Sequence, residues 1–159
     1  MDESCLLKTL SSPYIVNVEE IFEWQHRLFV FLDYMDGGSI DDIIKHSHMD
    51  YSVEFIKYTL YMSAMGIKAL HDINVIHRDI KSDNILCKPT GEIKVADLGV
   101  SVYLTEQDSY RKTRIGTVNW MSPEIILGHM YSKPVDIWSF AALMHELVLG
   151  VPPFRELSQ

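Results

Sequence analysis

Cysteine is scarce in this sequence: Cys5 and Cys87 are the only two among 159 residues. Two thiols so far apart build no disulfide framework, and they point to a reducing compartment, so a cytoplasmic protein is expected. Positive charge is also in short supply, with 14 Lys and Arg against 22 Asp and Glu and a formal net charge of −8. No Lys/Arg stripe is present, which argues against a protein that coats nucleic-acid phosphates. Long apolar runs are missing as well. The most apolar stretch, IWSFAALMHELVLG (137–150), is interrupted by His145 and Glu146. It falls short of the roughly 20 apolar residues that a bilayer span needs, so no membrane span is expected. The opening MDESCLLKTL is acidic and has no apolar core of the secretory kind. Internal repeats and low-complexity segments are absent.

Hydrophobic residues make up 47% of the chain, enough for one domain with a real core. DESCLLKTL (2–10) has helical spacing at Leu6, Leu7 and Leu10, and SSPY breaks it. IVNVEEIFEW (15–24) and RLFVFLDYM (27–35) predict two strands joined by a polar Gln25-His26 turn. Two strands cannot bury both faces by themselves, so this sheet looks unfinished. A short helix over 39–46 would be capped by Ser39, and a long one over 53–72 by Ser52. In the long one Phe55, Ile56, Leu60, Met62, Ile67 and Leu70 recur at helical spacing. The period then shortens to the strand-like runs VIH, ILC and IKVA, with KPTGE (88–92) as a hairpin turn. Residues 99–121 form a polar, hydroxyl-rich loop of a length that usually carries function. SPEIILGHM predicts a short helix, with Pro123 in its first turn and Gly128 at its end. Pro134 and Gly150 bracket a second strong helix, apolar nearly all round and therefore expected to be buried. The order implies an α+β fold.

Within NVIHRDIKSDNIL (74–86), the eight residues 77–84 crowd two acids, two bases and an amide between apolar runs. His77-Arg78-Asp79, Lys81 and Asn84 are followed by Asp97-Leu98-Gly99, then Ser122-Pro123-Glu124, then Asp136-Ile137-Trp138-Ser139. Four such groups in this order form a phosphotransfer signature. Moving a phosphoryl group leaves little covalent work to a protein; it needs positioning and charge neutralisation. Asp79 would accept or orient the proton of the attacking hydroxyl. Asn84 and Asp97 are oxygen donors suited to Mg²⁺ that bridges ATP phosphates. Lys81 would set a cation against the transferred group.

On these residues the chain resembles a eukaryotic protein kinase over essentially its whole length. HRDIKSDNIL looks like the serine/threonine type, since Lys81 marks that branch. GTVNWMSPE (116–124) resembles the sterile-20-like group, and GGSIDDIIKH and RKTRIGT look most like its oxidative-stress-responsive, Fray-like germinal-centre branch. The resemblance implies a bilobal kinase fold, incomplete here: residues 1–35 as the remainder of an N-lobe sheet with the hinge, and 36–159 as a mostly helical C-lobe that stops after the buried helix. It implies ATP and Mg²⁺, a protein Ser/Thr substrate and an upstream activating kinase. FLDYMDGG (31–38) would be the adenine hinge, with Leu32 as gatekeeper, Asp33 and Met35 presenting backbone groups, and Leu86 beneath the ring. Thr113 falls where such kinases are phosphorylated, with Arg78 as the partner of the phosphate. Thr117 would bridge Asp79 and Lys81, Asp136 would cap the catalytic loop, and Glu3 would pair with a third-strand lysine. Leu98 stands where a phenylalanine is usual, and the position needs only an apolar plug, stacked with His77, Leu7 and Val18.

Residues 1–159 contain neither a G-x-G-x-x-G loop nor that lysine, and the arginine that usually pairs with Glu124 is also missing. The expectation is therefore a fragment of a catalytic domain, poorly stable and with little turnover by itself. A catalytically inactive, pseudokinase-like module that acts through protein binding is the alternative. An unrelated metal-dependent hydrolase using His77, Asp79 and Asp97 is a third reading, but these residues lack metal-ligand spacing on one element. Ordinary roles cover the rest: Trp120, Trp138, Phe140, Met62, Met65 and Met144 as core, Glu19, Glu20, Asp41 and Asp42 as solvated acids, and Thr105, Ser109 and Tyr110 as loop hydroxyls.

Overall fold

The computed structural model describes residues 11–46 and 52–155. The helix expected over 2–10, with Glu3 and Leu7, lies outside the described residues. The first two strands, β1 (Val18–Trp24) and β2 (Arg27–Leu32), form an antiparallel hairpin that pairs Ile21 with Val30 and Phe22 with Phe29. Gln25 and His26 both take positive φ, 51° and 57°, the geometry of a two-residue turn that matches strand twist. Phe22 stacks on Phe29 and Phe31, with ring centroids 5.2 and 5.4 Å away. Even so, every residue of β2 is exposed, and Trp24 is 60% exposed. Stacking along the hairpin does not replace a layer against its faces, and among the described residues no such layer covers β2.

Helix α1 (Ile40–His46) begins with a reciprocal cap: the Asp42 amide donates to Ser39 Oγ (3.0 Å) and the Ser39 amide donates to Asp42 Oδ2 (3.1 Å). Helix α2 (Val53–Asp72) begins with the Phe55 amide donating to Ser52 Oγ (3.1 Å). Two short antiparallel pairs follow. Strand β3 (Val75–Ile76) pairs with β6 (Val102–Tyr103), and β4 (Ile85–Cys87) pairs with β5 (Ile93–Val95) through a turn at Gly91, φ 94°. Helices α3 (Pro123–Ile126) and α4 (Pro134–Leu149) complete the order, and Gly150, φ 73°, ends α4. This is an α+β arrangement with a small sheet at one end and a mostly helical remainder.

The main core lies between α2, the β4–β5 hairpin, α1 and α4, where Ile40, Ile67, Ile80, Ile85, Val95, Leu143 and Leu147 are fully or almost fully buried. The segment before β1 is laid along β5: the Val16 amide donates to the Val95 carbonyl and the Val95 amide to the Tyr14 carbonyl, both at 2.9 Å. A second cluster joins Ile76, Leu104, Ile125, Tyr131 and Val135 beneath the loop that precedes α3.

Helix α4 corrects the reading of a helix buried all round. Val135, Asp136, Ser139, Ala142, Leu143, Glu146 and Leu147 face inward, whereas Ile137, Trp138, Met144, Val148 and Leu149 are exposed. Hydropathy therefore misplaces the polar residues, because this helix buries Asp136, Ser139 and Glu146 and turns apolar side chains outward. Trp138 and Met144 are surface residues, not core. Asp41 moves the other way: it is buried, with its carboxylate 2.6 Å from Lys45 Nζ one turn on. Among the described residues no helix is long and apolar enough to cross a membrane.

Gly66 sets the distance between α2 and β5. A Cβ there would come within 2.5 Å of Val95 Cγ2 and 2.8 Å of the Tyr14 carbonyl oxygen. Gly66→Ala gains helix propensity, worth about 1 kcal/mol, but overpacks a contact made partly of backbone, which costs about 1–3 kcal/mol. The expected outcome is a net loss of stability, read as a lower urea midpoint at unchanged m-value.

Candidate active site

The site begins where β3 ends. Asp136, fully buried in the first turn of α4, accepts the His77 amide on Oδ2 (2.9 Å), the Arg78 amide on Oδ1 (2.8 Å), and His71 Nε2 on Oδ2 (2.8 Å). A buried carboxylate is tolerable only with such partners. The same bonds hold Arg78 at φ 72°, a conformation that costs a non-glycine residue about 1–3 kcal/mol. His77 is buried and donates from Nε2 to the Ala96 carbonyl (2.8 Å), which leaves Nδ1 to accept the Asp79 amide (3.2 Å). Two residues of the loop are thus aligned before any catalytic side chain is placed.

Asp79 then meets three partners. Thr117 Oγ1 donates to its Oδ1 (2.7 Å), Lys81 Nζ lies 3.0 Å from its Oδ2, and Asn84 Nδ2 donates to its carbonyl oxygen (2.7 Å) and to Oδ2 (3.0 Å). Lys81 Nζ also donates to Thr117 Oγ1 (2.8 Å), which closes the triangle. Burial pushes the Asp79 carboxyl up, but the hydrogen bonds from Thr117 and Lys81, the Lys81 charge and the Asn84 amide outweigh it, so its pKa lies below the usual carboxylate value. Because Asn84 spends its amide nitrogen on Asp79, its side-chain oxygen is the end left for a cation.

One cleft of about 570 Å³ is lined by Leu32, Asp33, Met35, Leu86, Asn84 and Asp97, so the expected adenine residues and both expected cation ligands share a single space. Its wall is apolar: Met35 packs with Val16, Ala96 and Leu86, and Leu98 with Ile15, Leu70 and Val75. Asp97 is exposed at φ 60° and accepts the Gly99 amide on Oδ1 (3.1 Å). The amide of Asp33 is already committed to the Asn17 carbonyl (3.0 Å), so that group is not free for a ligand. Its carboxylate accepts Asn17 Nδ2 (3.0 Å) and the Asn17 amide (3.1 Å), with Lys94 Nζ at 2.5 Å. Burial raises the Asp33 pKa, but Lys94 and Asn17 more than offset that and hold it at about 2.

Arg78 is not a free surface charge. Its Nε donates to the Val100 carbonyl (2.6 Å) and its Nη1 to the Tyr131 hydroxyl (3.2 Å), which in turn donates to the Thr113 carbonyl (2.8 Å). Thr113 itself is exposed, and the guanidinium reaches it only through Tyr131. Glu3 lies outside the described residues.

Sequence reasoning missed Tyr131, Lys94 and a buried triad at the back of the loop. In that triad Glu146 accepts Ser82 Oγ on Oε1 (2.6 Å), and on Oε2 both the Ser82 amide (3.2 Å) and Trp120 Nε1 (3.0 Å). Burial raises the Glu146 pKa against the pull of those bonds. A usable signal existed: Asp136, Ser139 and Glu146 fall at i, i+3 and i+10, one face of a helix whose other residues are mostly apolar.

The donor set suits Mg²⁺, which takes one or two protein oxygens and keeps water and phosphate oxygens for the rest. Among the described residues no group of three or more His, Cys, Asp or Glu is placed to hold a metal, so the hydrolase reading finds no cluster.

Comparison with known proteins gives the family. The profile of the family described as "Protein kinase domain" matches residues 1–159. The chain is similar to serine/threonine-protein kinase CST20 of Candida albicans (40% identity over 97% of this chain), CLA4 of Eremothecium gossypii (36% over 97%) and pakC of Dictyostelium discoideum (36% over 97%). It spans only 12%, 20% and 33% of their respective lengths.

The Asp33–Lys94 pair gives a pH test. The folded pKa of Asp33, about 2, lies below its ordinary 3.8, so the pair stabilises the fold above about pH 4 and that contribution is lost as the pH falls towards 2. Lys94→Met should cost about 3 kcal/mol at neutral pH, as for other mostly buried pairs. It should also flatten the acid limb of stability between pH 4 and 2 in urea titrations.

Proposed function

The chain belongs to the protein kinase family, and on that premise we propose that it transfers the γ-phosphate of ATP to serine or threonine hydroxyls of protein substrates. The observation that carries this reading is the Asp79–Thr117–Lys81–Asn84 cluster, joined through Asn84 to the cleft that Asp97 lines. The likeness to sterile-20-like serine/threonine kinases supports the substrate hydroxyl class. Assignment to the Fray-like branch rests on GGSIDDIIKH and RKTRIGT alone.

When bound, Mg-ATP supplies the phosphoryl group and the divalent charge that neutralises its phosphates. Asn84 and Asp97 would hold the cation, while Leu32, Asp33, Met35 and Leu86 would hold the adenine, with residues up to 35 forming the small lobe and hinge. Asp79 orients the acceptor hydroxyl. Thr117, Lys81 and Asn84 hold its pKa below the usual carboxylate value, which keeps it ionised and able to accept the hydroxyl's hydrogen bond. Thr117 and Lys81 fix its rotamer, and Lys81 brings a positive charge to the site of transfer. Thr113 is the proposed phosphorylation site for an upstream kinase, with Arg78 as its charge partner, in a cytoplasmic setting.

Asp79→Asn should lower kcat for a serine/threonine peptide by about 10²–10⁴-fold, the worth of a positioned acid–base group, while Mg-ATP still raises the melting temperature. Asp97→Asn should abolish that Mg-dependent shift. Turnover unaffected by Asp79→Asn would overturn the reading, and a wild-type protein with no Mg-ATP shift at all would favour the partner-binding alternative.

A further inference from the structure

The loop over 99–121 would be free to sample many conformations if nothing tied it down, yet residues 111–117 are docked at successive points. At Arg111 the backbone pairs in both directions with Tyr131: the Arg111 amide donates to the Tyr131 carbonyl (2.9 Å) and the Tyr131 amide to the Arg111 carbonyl (2.8 Å). At Thr113 the carbonyl accepts the Tyr131 hydroxyl (2.8 Å). At Gly116, φ 119°, the backbone lies against the Arg78 carbonyl, where a Cβ would come within 2.5 Å of the oxygen. At Thr117 the hydroxyl closes the triangle with Asp79 and Lys81. Tyr131 alone supplies the first two of these anchors.

The environment of Tyr131 makes it a rigid support. Its ring is 3% exposed and packs with Ile76, Leu104, Ile125 and Val135. A phenol has one proton to donate and lone pairs to accept with. Here the proton goes to Thr113 and a lone pair takes Arg78 Nη1 (3.2 Å). A single hydroxyl thus connects the catalytic loop to the loop that carries Thr117, four residues past the point it holds.

We infer that Tyr131 is a positioning residue: its hydroxyl couples Arg78 to the Thr113 carbonyl and so holds residues 111–117, Thr117 included, over Asp79 while Thr113 is unmodified. The kinetic consequence rests on the phosphotransfer reading above; the structural coupling does not. Replacing the hydroxyl by hydrogen keeps the ring in its apolar seat and removes both side-chain bonds at once.

The test uses Tyr131→Phe in the intact protein. Lys112 and Arg114 are exposed beside the held carbonyl and serve as trypsin sites. Tyr131→Phe should speed cleavage there about fivefold, the change expected for losing the one hydrogen bond that holds the Thr113 carbonyl, while the melting temperature falls by no more than about 4 °C. Arg78→Gln, which also loses the Nε bond to the Val100 carbonyl, should speed cleavage too, and the double variant should fall short of the product of the two single effects, because the variants share the Arg78–Tyr131 contact. In turnover assays Tyr131→Phe should raise the peptide KM and leave the ATP KM unchanged. Unchanged cleavage, or additive effects in the double variant, would sink the inference. If the wild type phosphorylates nothing, the phosphotransfer reading fails and the cleavage measurements still decide the role of Tyr131.

Discussion

Everything at the site hangs from one buried carboxylate. Asp136 has no exposure to water, and a charge in that position is sustained only by donors that cannot drift away. It draws two consecutive backbone amides and a histidine nitrogen onto itself, and with them the start of the loop that carries Asp79. The strained backbone at Arg78 is the cost of that arrangement. Further along the same helix, Ser139 donates to the Trp120 carbonyl (2.7 Å) and Glu146 gathers Ser82 and Trp120. Helix α4 is a polar template inside the molecule, and two separate loops take their shape from it.

Much of this was legible in the sequence because it was local. The Gln25-His26 turn, the Ser39 and Ser52 caps, and the Pro134 and Gly150 boundaries each follow from a residue and its near neighbours. The grouping of Asp79, Lys81, Asn84 and Asp97 was legible because kinase chemistry requires an ordered set at fixed spacing, and the structure sets the first three within hydrogen-bond reach and Asp97 in the cleft that Asn84 lines.

What escaped was non-local. Nothing near position 131 in the sequence says that its hydroxyl will meet Arg78 and Thr113. Nothing near Lys94 says that it will cross to Asp33. Helix α4 was misread for a different reason: hydropathy reports how apolar a residue is, not which side its neighbours cover, so a helix with buried acids and exposed Ile137, Met144 and Val148 looks the same as a greasy one. Asp41 was misread because first-turn acids usually face water, whereas here Lys45, one turn on, reaches back over it.

The ion pair between Lys94 and Asp33 has a mechanical side. Lys94 sits three residues ahead of Asp97 on the same strand run, and Asp33 is the first residue after β2. The bond is therefore a strut between two elements, with the strand that leads to Asp97 on one end and the chain leaving the hairpin on the other. Tilting the hairpin therefore pulls on β5. The small, mostly exposed sheet is in this sense a lever already geared to the strand that leads to Asp97.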